Sequence, residues 1–409
     1  MLPRPALTDR EKTARLGFAL LLACARRQIS QQGEDQIKAL VRAGIAWKPF
    51  LSRARRHGVM PLVYWHLHST CPHAVPLAIL NELHDYFLAN AKRNLLLLRE
   101  MVRLLGLLEA NVIPAIAFKG PLLGAVAYGN VSLRSSADVD ILVRKQDFLR
   151  LKKLLLAEGY VPSPSVSRIP ERALLDYAPE CQFIRSPTGI ELDVHWHMLP
   201  RMISYALDSE QLWQRVEYLP LAGMHVPTIP PEDMLLVLSV HGSKHLWERL
   251  GWICDIGGLI GVHRPVNWTR VLEQAGTQGS SRMLFLGLTL ARDLVGAELP
   301  TEVSVRMQTD PEVDALACQV REWLANDAIS QFGLRERMAF HLRVTERLAD
   351  KLRYFSRLAM VPTVRDLELW TSPQTPRFFY YLIRPFRLLA KYGRRALAAL
   401  FRLTLFRRL

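Results

Sequence analysis

The chain has 409 residues, half of them hydrophobic, and a formal net charge of +15. That is ample apolar material for a packed core, in two or three domains, and too much for a disordered protein. No uninterrupted apolar run approaches the roughly 20 residues of a membrane-spanning helix, which argues against an integral membrane protein.

Five cysteines, Cys24, Cys71, Cys181, Cys254 and Cys318, are odd in number and widely scattered. They make no short pair for zinc or a redox dithiol and fit free thiols in a reducing compartment. The charge is uneven. From Arg377 onward there are nine Lys or Arg and no acid, which leaves +6 for everything before. The basic tail is therefore judged apart from the folded body.

The first hundred or so residues read as helices. Residues 17–25 are the one stretch with the look of a signal-peptide core. Asp9 and Glu11 before it, Arg26 and Arg27 after it, and the lack of a small-residue cleavage site favour an amphipathic first helix. Apolar residues recur at helical spacing through 16–25, 37–43 and 77–88. Residues 93–111 make a long amphipathic helix, with Leu95, Leu97, Leu98, Met101, Val102, Leu105 and Leu108 on one face. Pro114 ends it, and 113–118 is short, apolar and strand-like.

A short helix follows Gly120, then a loop through 129–136. The next strand, 137–143, alternates Val139, Ile141 and Val143 against Asp138, Asp140 and Leu142. A helix is predicted over about 146–158 with Gly159 as its stop. A hairpin joins 182–185 to 189–195 around Ser186-Pro187-Thr188-Gly189. From about Pro230 helices return. The expected fold class is α+β, a core with a small mixed β-sheet between N-terminal and C-terminal helical regions. Its expected parts are 1–111 helical, 112–200 α/β core, 201–375 C-terminal helical and 376–409 basic tail.

Asp138 and Asp140 stand two apart on a strand, so both carboxylates leave one face. Left bare, such a pair would repel and lose charge, whereas a divalent cation removes the conflict. Asp193 lies on another strand with Glu191 and His195 on its face. If the strands are neighbours, three acids converge, and metals so held can polarise a phosphate and activate a hydroxyl. The plain alternative is a solvated strand face.

This order of motifs resembles the DNA polymerase β-type nucleotidyltransferase superfamily: Gly after an apolar strand, acid–apolar–acid, then a third acid between apolar residues. It resembles more closely the bacterial group known as uncharacterised nucleotidyltransferase family proteins. The matching stretches are Phe118-Lys119-Gly120, Tyr128-Gly129, Arg134 with 138–143, 191–196 and His241-Gly242-Ser243-Lys244-His245-Leu246-Trp247. Trp47 with 56–62, and 380–393, belong to it too. Pro121 departs from the superfamily, which has Gly or Ser there, and removes an N–H that could meet a phosphate.

The resemblance implies transfer of a nucleotidyl group from a nucleoside triphosphate, with ATP as the expected donor, to a hydroxyl-type acceptor. It implies Asp138, Asp140 and Asp193 as catalytic residues and metal ligands, with Mg²⁺ as the expected ion and Mn²⁺ as its substitute. Lys119, Gly120, Arg134, Ser135 and Ser136 are the expected nucleotide contacts. For Lys119 the alternative is a surface lysine, and for Arg134 a salt bridge steadying the acid strand.

Glu191, His195, His241, Lys244 and His245 are candidate substrate contacts. His241 and His245 share a helical face, but the Glu of the metalloprotease pattern is missing between them. The tail interleaves basic and aromatic residues, which suits an anionic membrane or partner surface better than nucleic acid. The expected location is the cytoplasm, with peripheral membrane contact through that tail. A binding protein without turnover and a membrane-peripheral scaffold are the rival readings.

Overall fold

The computed structural model describes residues 8–361, apart from 165, 168, 199–208, 263–265 and 327. The expected basic tail lies outside the described residues.

Helices α1 (Asp9–Cys24), α2 (Gln31–Arg42), α3 (Trp47–Arg56) and α4 (Met60–Thr70) open the chain. A capping box starts α1: Glu11 N–H donates to Thr8 Oγ1 at 3.3 Å, and Thr8 N–H to the Glu11 carboxylate at 2.8 Å. Leu20, Leu21 and Cys24 of α1 are buried in the larger core.

Helix α5 (Leu77–Ala110) fuses the two helical patterns expected at 77–88 and 93–111 into 34 residues. It contains no Pro and one Gly, Gly106, so nothing interrupts its hydrogen-bond ladder. At 1.5 Å per residue it is about 50 Å long, enough to reach from the N-terminal helices to the sheet. Leu97, Met101, Leu104, Leu105 and Leu108 pack under the sheet, whereas Leu95, expected on that face, is 56% exposed.

The strands are β1 (Ala115–Ala117), β2 (Asp138–Val143), β3 (Tyr160–Pro162), β4 (Glu180–Arg185), β5 (Ile190–His195), β6 (Glu217–Leu221) and β7 (Met224–Thr228). Between them lie α6 (Gly120–Tyr128), α7 (Phe148–Ala157), α8 (Glu171–Tyr177) and α9 (Ser209–Trp213). One mixed sheet takes the order β3-β4-β5-β2-β1-β7-β6. β2 runs parallel to β5 and antiparallel to β1, and β4 and β5 form the expected hairpin.

Alternation sorts the two faces. Ala115, Ala117, Val139, Ile141, Val143, Leu192 and Val194 join α5 and α7 in one core. Ile116, Phe118 and Leu142 turn the other way, into the larger core with α10 (Pro231–Lys244), α11 (Leu250–Ile260) and the helices beyond. Those are α12 (Trp268–Gln278), α13 (Ser281–Val295), α14 (Thr301–Met307), α15 (Pro311–Asn326), α16 (Leu334–Val344) and α17 (Leu348–Met360). Asp138, Asp140, Asp193 and His195 share this second face. All five cysteines are unpaired, and no helix among the described residues is long and apolar enough to cross a membrane.

Candidate active site

Parallel pairing of β2 with β5 sets Asp138 opposite Glu191 and Asp140 opposite Asp193, with His195 opposite Leu142. The ligand atoms of Asp140, Asp193 and His195 lie within 4.8 Å of one another, a group that could hold a metal ion. Asp138 sits one side-chain step nearer the start of the strand, outside that group. His195 Nε2 is 3.1 Å from Asp140 Oδ1, and Nδ1 is 3.0 Å from Glu180 Oε2, close but off the hydrogen-bonding direction. Asp193 Oδ1 is buried with no hydrogen-bond partner in the structure. Gln182 Nε2 donates to Glu191 at 3.3 Å.

Electrostatics separate these carboxylates. Burial, reinforced by Asp140 and opposed by Arg134 and Lys119, pushes Asp138 up to about 6. Burial and the charges of Asp140 and Asp138 push Asp193 up to about 7. Burial opposes ionisation of Asp140 too, but Lys119, His195 and Arg134 hold it below the usual carboxylate range. His195 rises to about 9: burial disfavours its charge, and Asp140 and Glu180 outweigh burial. The site therefore crowds more negative charge than its own cations balance.

Lys119 and Gly120 form the turn from β1 into α6. Gly120 has φ +53°, and a Cβ there would lie 2.6 Å from the Asp138 carbonyl oxygen. Only glycine lets this turn sit against the start of the acid strand. Pro121 occupies the first turn of α6, where a missing N–H breaks no helical bond.

Arg134 is 14% exposed and grips Asp255 of α11 with two bonds, Nε to Oδ1 at 2.9 Å and Nη2 to Oδ2 at 3.1 Å. Its Nη1 donates to Gly120 O and to Ser136 Oγ, both at 3.1 Å. Tyr128 O–H donates to the same Asp255 at 2.8 Å. Ser136 is buried, and Ser135 Oγ is buried without a partner.

Across from the acids, α10 supplies His241 and Lys244, and His245 caps its end. The chain then turns back through Leu246 and Trp247, at φ +58° and +55°. Two successive non-glycine residues in that region are strained by on the order of 1–2 kcal/mol each. The fully buried Trp247 ring holds them there, packed where a Cβ on Gly242 would come within 2.4 Å of it. This explains the spacing of the His-Gly-Ser-Lys-His-Leu-Trp stretch.

Lys119 Nζ donates to His241 Nδ1 at 3.5 Å. The His241 and His245 rings are 4.7 Å apart, and both contact Trp252, at 5.1 and 5.3 Å. Burial, then neighbouring cations, lowers both histidines, His245 to about 3, so both are neutral. Burial also lowers Lys244, against the pull of Glu180. His341 Nε2 donates to the Lys244 carbonyl at 3.0 Å, bracing this wall from α16.

The structure thus gathers Asp138, Asp140, Asp193, Glu191, His195, Lys119, His241 and Lys244 around one face of the sheet. Arg134 lies on the same side, with its guanidinium engaged by Asp255 of α11. Sequence reasoning missed Glu180 as a partner of His195; the antiparallel register that sets Glu180 opposite His195 would have located it. It also missed the Arg134–Asp255 pair and His341, which lie too far along the chain for any local pattern to show.

An acid pair on one strand, a third acid beside it on a parallel neighbour and a Lys-Gly turn against them define a nucleotidyltransferase. The family described as uncharacterised nucleotidyltransferase matches residues 43–296, more than half of the chain, and the chain belongs to that family. Among solved structures, it is similar to an antigenic nucleotidyltransferase-like protein from Paracoccidioides brasiliensis. That likeness has a TM-score of 0.31 at 15% identity, over 55% of this chain and 91% of the other, and the assignment does not lean on it. No curated protein matches the chain.

Proposed function

We propose that the protein transfers a nucleotidyl group from a nucleoside triphosphate, ATP with Mg²⁺, to a hydroxyl acceptor. The observation that carries this reading is the pairing of Asp140 with Asp193 across β2 and β5, with a buried, unpartnered Asp193 oxygen between them. Such an atom is costly unless a ligand meets it. The Asp140 and Asp193 carboxylate oxygens, within 4.8 Å of each other, suit a divalent cation, so the residues fit the implied metal; His195, charged and bonded to Asp140, stands beside it. Asp140 and Asp193 would hold it, with Asp138 at the rim; when bound, it supplies charge neutralisation at the α-phosphate and acidifies the acceptor hydroxyl.

The chain's own groups account for the rest. Lys119, steadied by neutral His241, and Lys244 face the acids and suit the triphosphate. Gly120 lets the turn approach. Arg134, expected at the phosphates, is proposed instead as a positioning residue, since its bonds to Asp255, Gly120 and Ser136 hold the entry to β2 in place. In the reaction the acceptor oxygen attacks the α-phosphorus, the bond to the bridging oxygen breaks, and pyrophosphate leaves. The acceptor proton passes to the Asp193 carboxylate, which is ionised when the metal is bound.

The four-part organisation is kept as a proposal, with the α/β unit drawn to residue 228 because β7 pairs with β1. The free thiols fit a cytoplasmic site of action, and the basic segment after Arg377 is proposed as the contact with an anionic surface. Mass spectrometry of a cell extract incubated with the protein, ATP and magnesium tests the activity. A product gaining a nucleotidyl mass, lost with Asp140→Asn, is expected. Nucleotide binding without any product across extracts and both metals would make the protein a binding module.

A further inference from the structure

Beside Asp138 lies a cleft of about 760 Å³ that the triphosphate as placed above does not use. It opens where the N-terminal helices meet the sheet. One wall is α5 with the end of α3. The other is the loop 135–137 leading into Asp138 and the turn 188–190 leading into Glu191. A volume of this size suits a small molecule, and junctions between regions are common ligand sites.

Its lining carries four cations, Arg55, Lys92, Arg93 and Arg249, and no carboxylate. Lys119, His241 and Lys244 do not line it, so it is separate from the wall that faces the acids. Arg55 lies over the Tyr86 ring at 5.6 Å and its Nη2 reaches the exposed Glu82 carboxylate, outside the cleft lining, at 3.4 Å; together these orient its guanidinium. Arg93 Nη2 donates to the Ala137 carbonyl at 2.6 Å and fixes the cleft floor next to Asp138. Ser135 Oγ, buried and without a hydrogen-bond partner in the structure, is also part of the lining. A buried hydroxyl in that state calls for a ligand or water oxygen.

We propose that this cleft seats the acceptor, and that the acceptor is a small hydroxyl compound carrying a phosphate group. Its phosphate lies toward Arg55 and Lys92, because Arg forks and Lys charges are the groups that hold phosphate oxygens. Its hydroxyl then points along the floor, past Asp138, toward Asp193. The N-terminal helices acquire a purpose in this arrangement, since they supply the acceptor side of the site. The proposal rests on the nucleotidyl-transfer reading.

Calorimetric titrations on the full chain test it, with Mg-ATP, glycerol 3-phosphate, glycerol and inorganic phosphate as probes. The same titrations are run on R55E/K92E. Both positions are exposed, so the fold should persist, and the milder R55Q/K92Q guards against misfolding. Glycerol 3-phosphate should bind the parent protein more tightly than either glycerol or phosphate. The charge reversal should weaken it at least tenfold and leave Mg-ATP affinity unchanged.

Absence of glycerol 3-phosphate binding would overturn the proposal, as would phosphate binding equally well. An equal loss of Mg-ATP affinity would also overturn it, making the cleft part of the nucleotide site. If the parent binds glycerol 3-phosphate but not Mg-ATP, the cleft stands as a phosphate-ester site and the transfer reading falls instead.

Discussion

Replacing Asp255 with Asn removes the charge that holds Arg134, 121 residues away at the entry to the acid strand. Asp255 is 2% exposed and its partner Arg134 14%, so the Arg134 charge would be left buried with a neutral amide in place of its carboxylate. Losing one partner of a buried pair destabilises by about 3–5 kcal/mol. Against a total stability of roughly 5–15 kcal/mol, that is a large share. In a urea titration the midpoint should fall with little change in slope.

The double variant Arg134→Met/Asp255→Leu should recover much of the loss, because an apolar pair leaves no buried charge unmatched. A single-variant loss below about 1 kcal/mol, the level of an ordinary surface change, would refute the argument. So would a double variant as unstable as the sum of both singles. If the double variant lost as much Mg-ATP affinity as Lys119→Ala, Arg134 would return to the triphosphate.

Gly242→Ala should destabilise by about 1–3 kcal/mol or more, since its Cβ would meet the Trp247 ring at 2.4 Å. Tryptophan fluorescence should report the displaced ring, and unchanged spectra and melting would count against this packing. The metal-free protein should lose stability as pH rises from 7 to 9. Asp138 and Asp193 have folded pKa values near 6 and 7, above their unfolded ones, so ionising them between about pH 4 and 7 is unfavourable in the native state. His195, raised to about 9, contributes stability below about 6.5 that is lost through pH 9. His241 and His245, held neutral by burial, oppose the carboxylates' loss between about pH 5 and 6.5, so the melt should fall from pH 7 to pH 9, and magnesium should lift it at pH 7 more than at pH 5. A flat profile with and without magnesium would contradict the assigned charges.

Strand alternation put Asp138 and Asp140 on one face of their strand, and Asp193 with His195 on one face of theirs, because a period of two is a local property of the chain. That β2 and β5 are parallel neighbours is not local, and it follows from the sheet order. Glu180 was closer to hand, since extending the expected hairpin's register back from its turn sets it opposite His195. Arg134 was ambiguous in sequence: a loop arginine before an acid strand suits a phosphate or a salt bridge equally. Asp255 on α11 decides its position, through tertiary packing alone. Strands β6 and β7 escaped because Pro220 and Pro227 within them read against strand; β6 is the edge strand, where proline is tolerated, and β7 pairs with β1 only at Thr228, which leaves Pro227 outside that ladder. The two helical patterns of 77–111 merged because an uninterrupted ladder continues where only the apolar face changes sides.

The central claim is that Asp140 and Asp193 hold a divalent metal, and Mn²⁺ binding followed by electron paramagnetic resonance tests it without knowledge of the acceptor. The parent protein should bind Mn²⁺, more tightly at pH 7.5 than at pH 5.5, as protons leave Asp193 and Asp138. Asp140→Asn and Asp193→Asn should each weaken that binding by at least about tenfold, roughly 1.4 kcal/mol, by removing a charged ligand. Equal Mn²⁺ affinity in the parent and both variants, at either pH, would contradict the account.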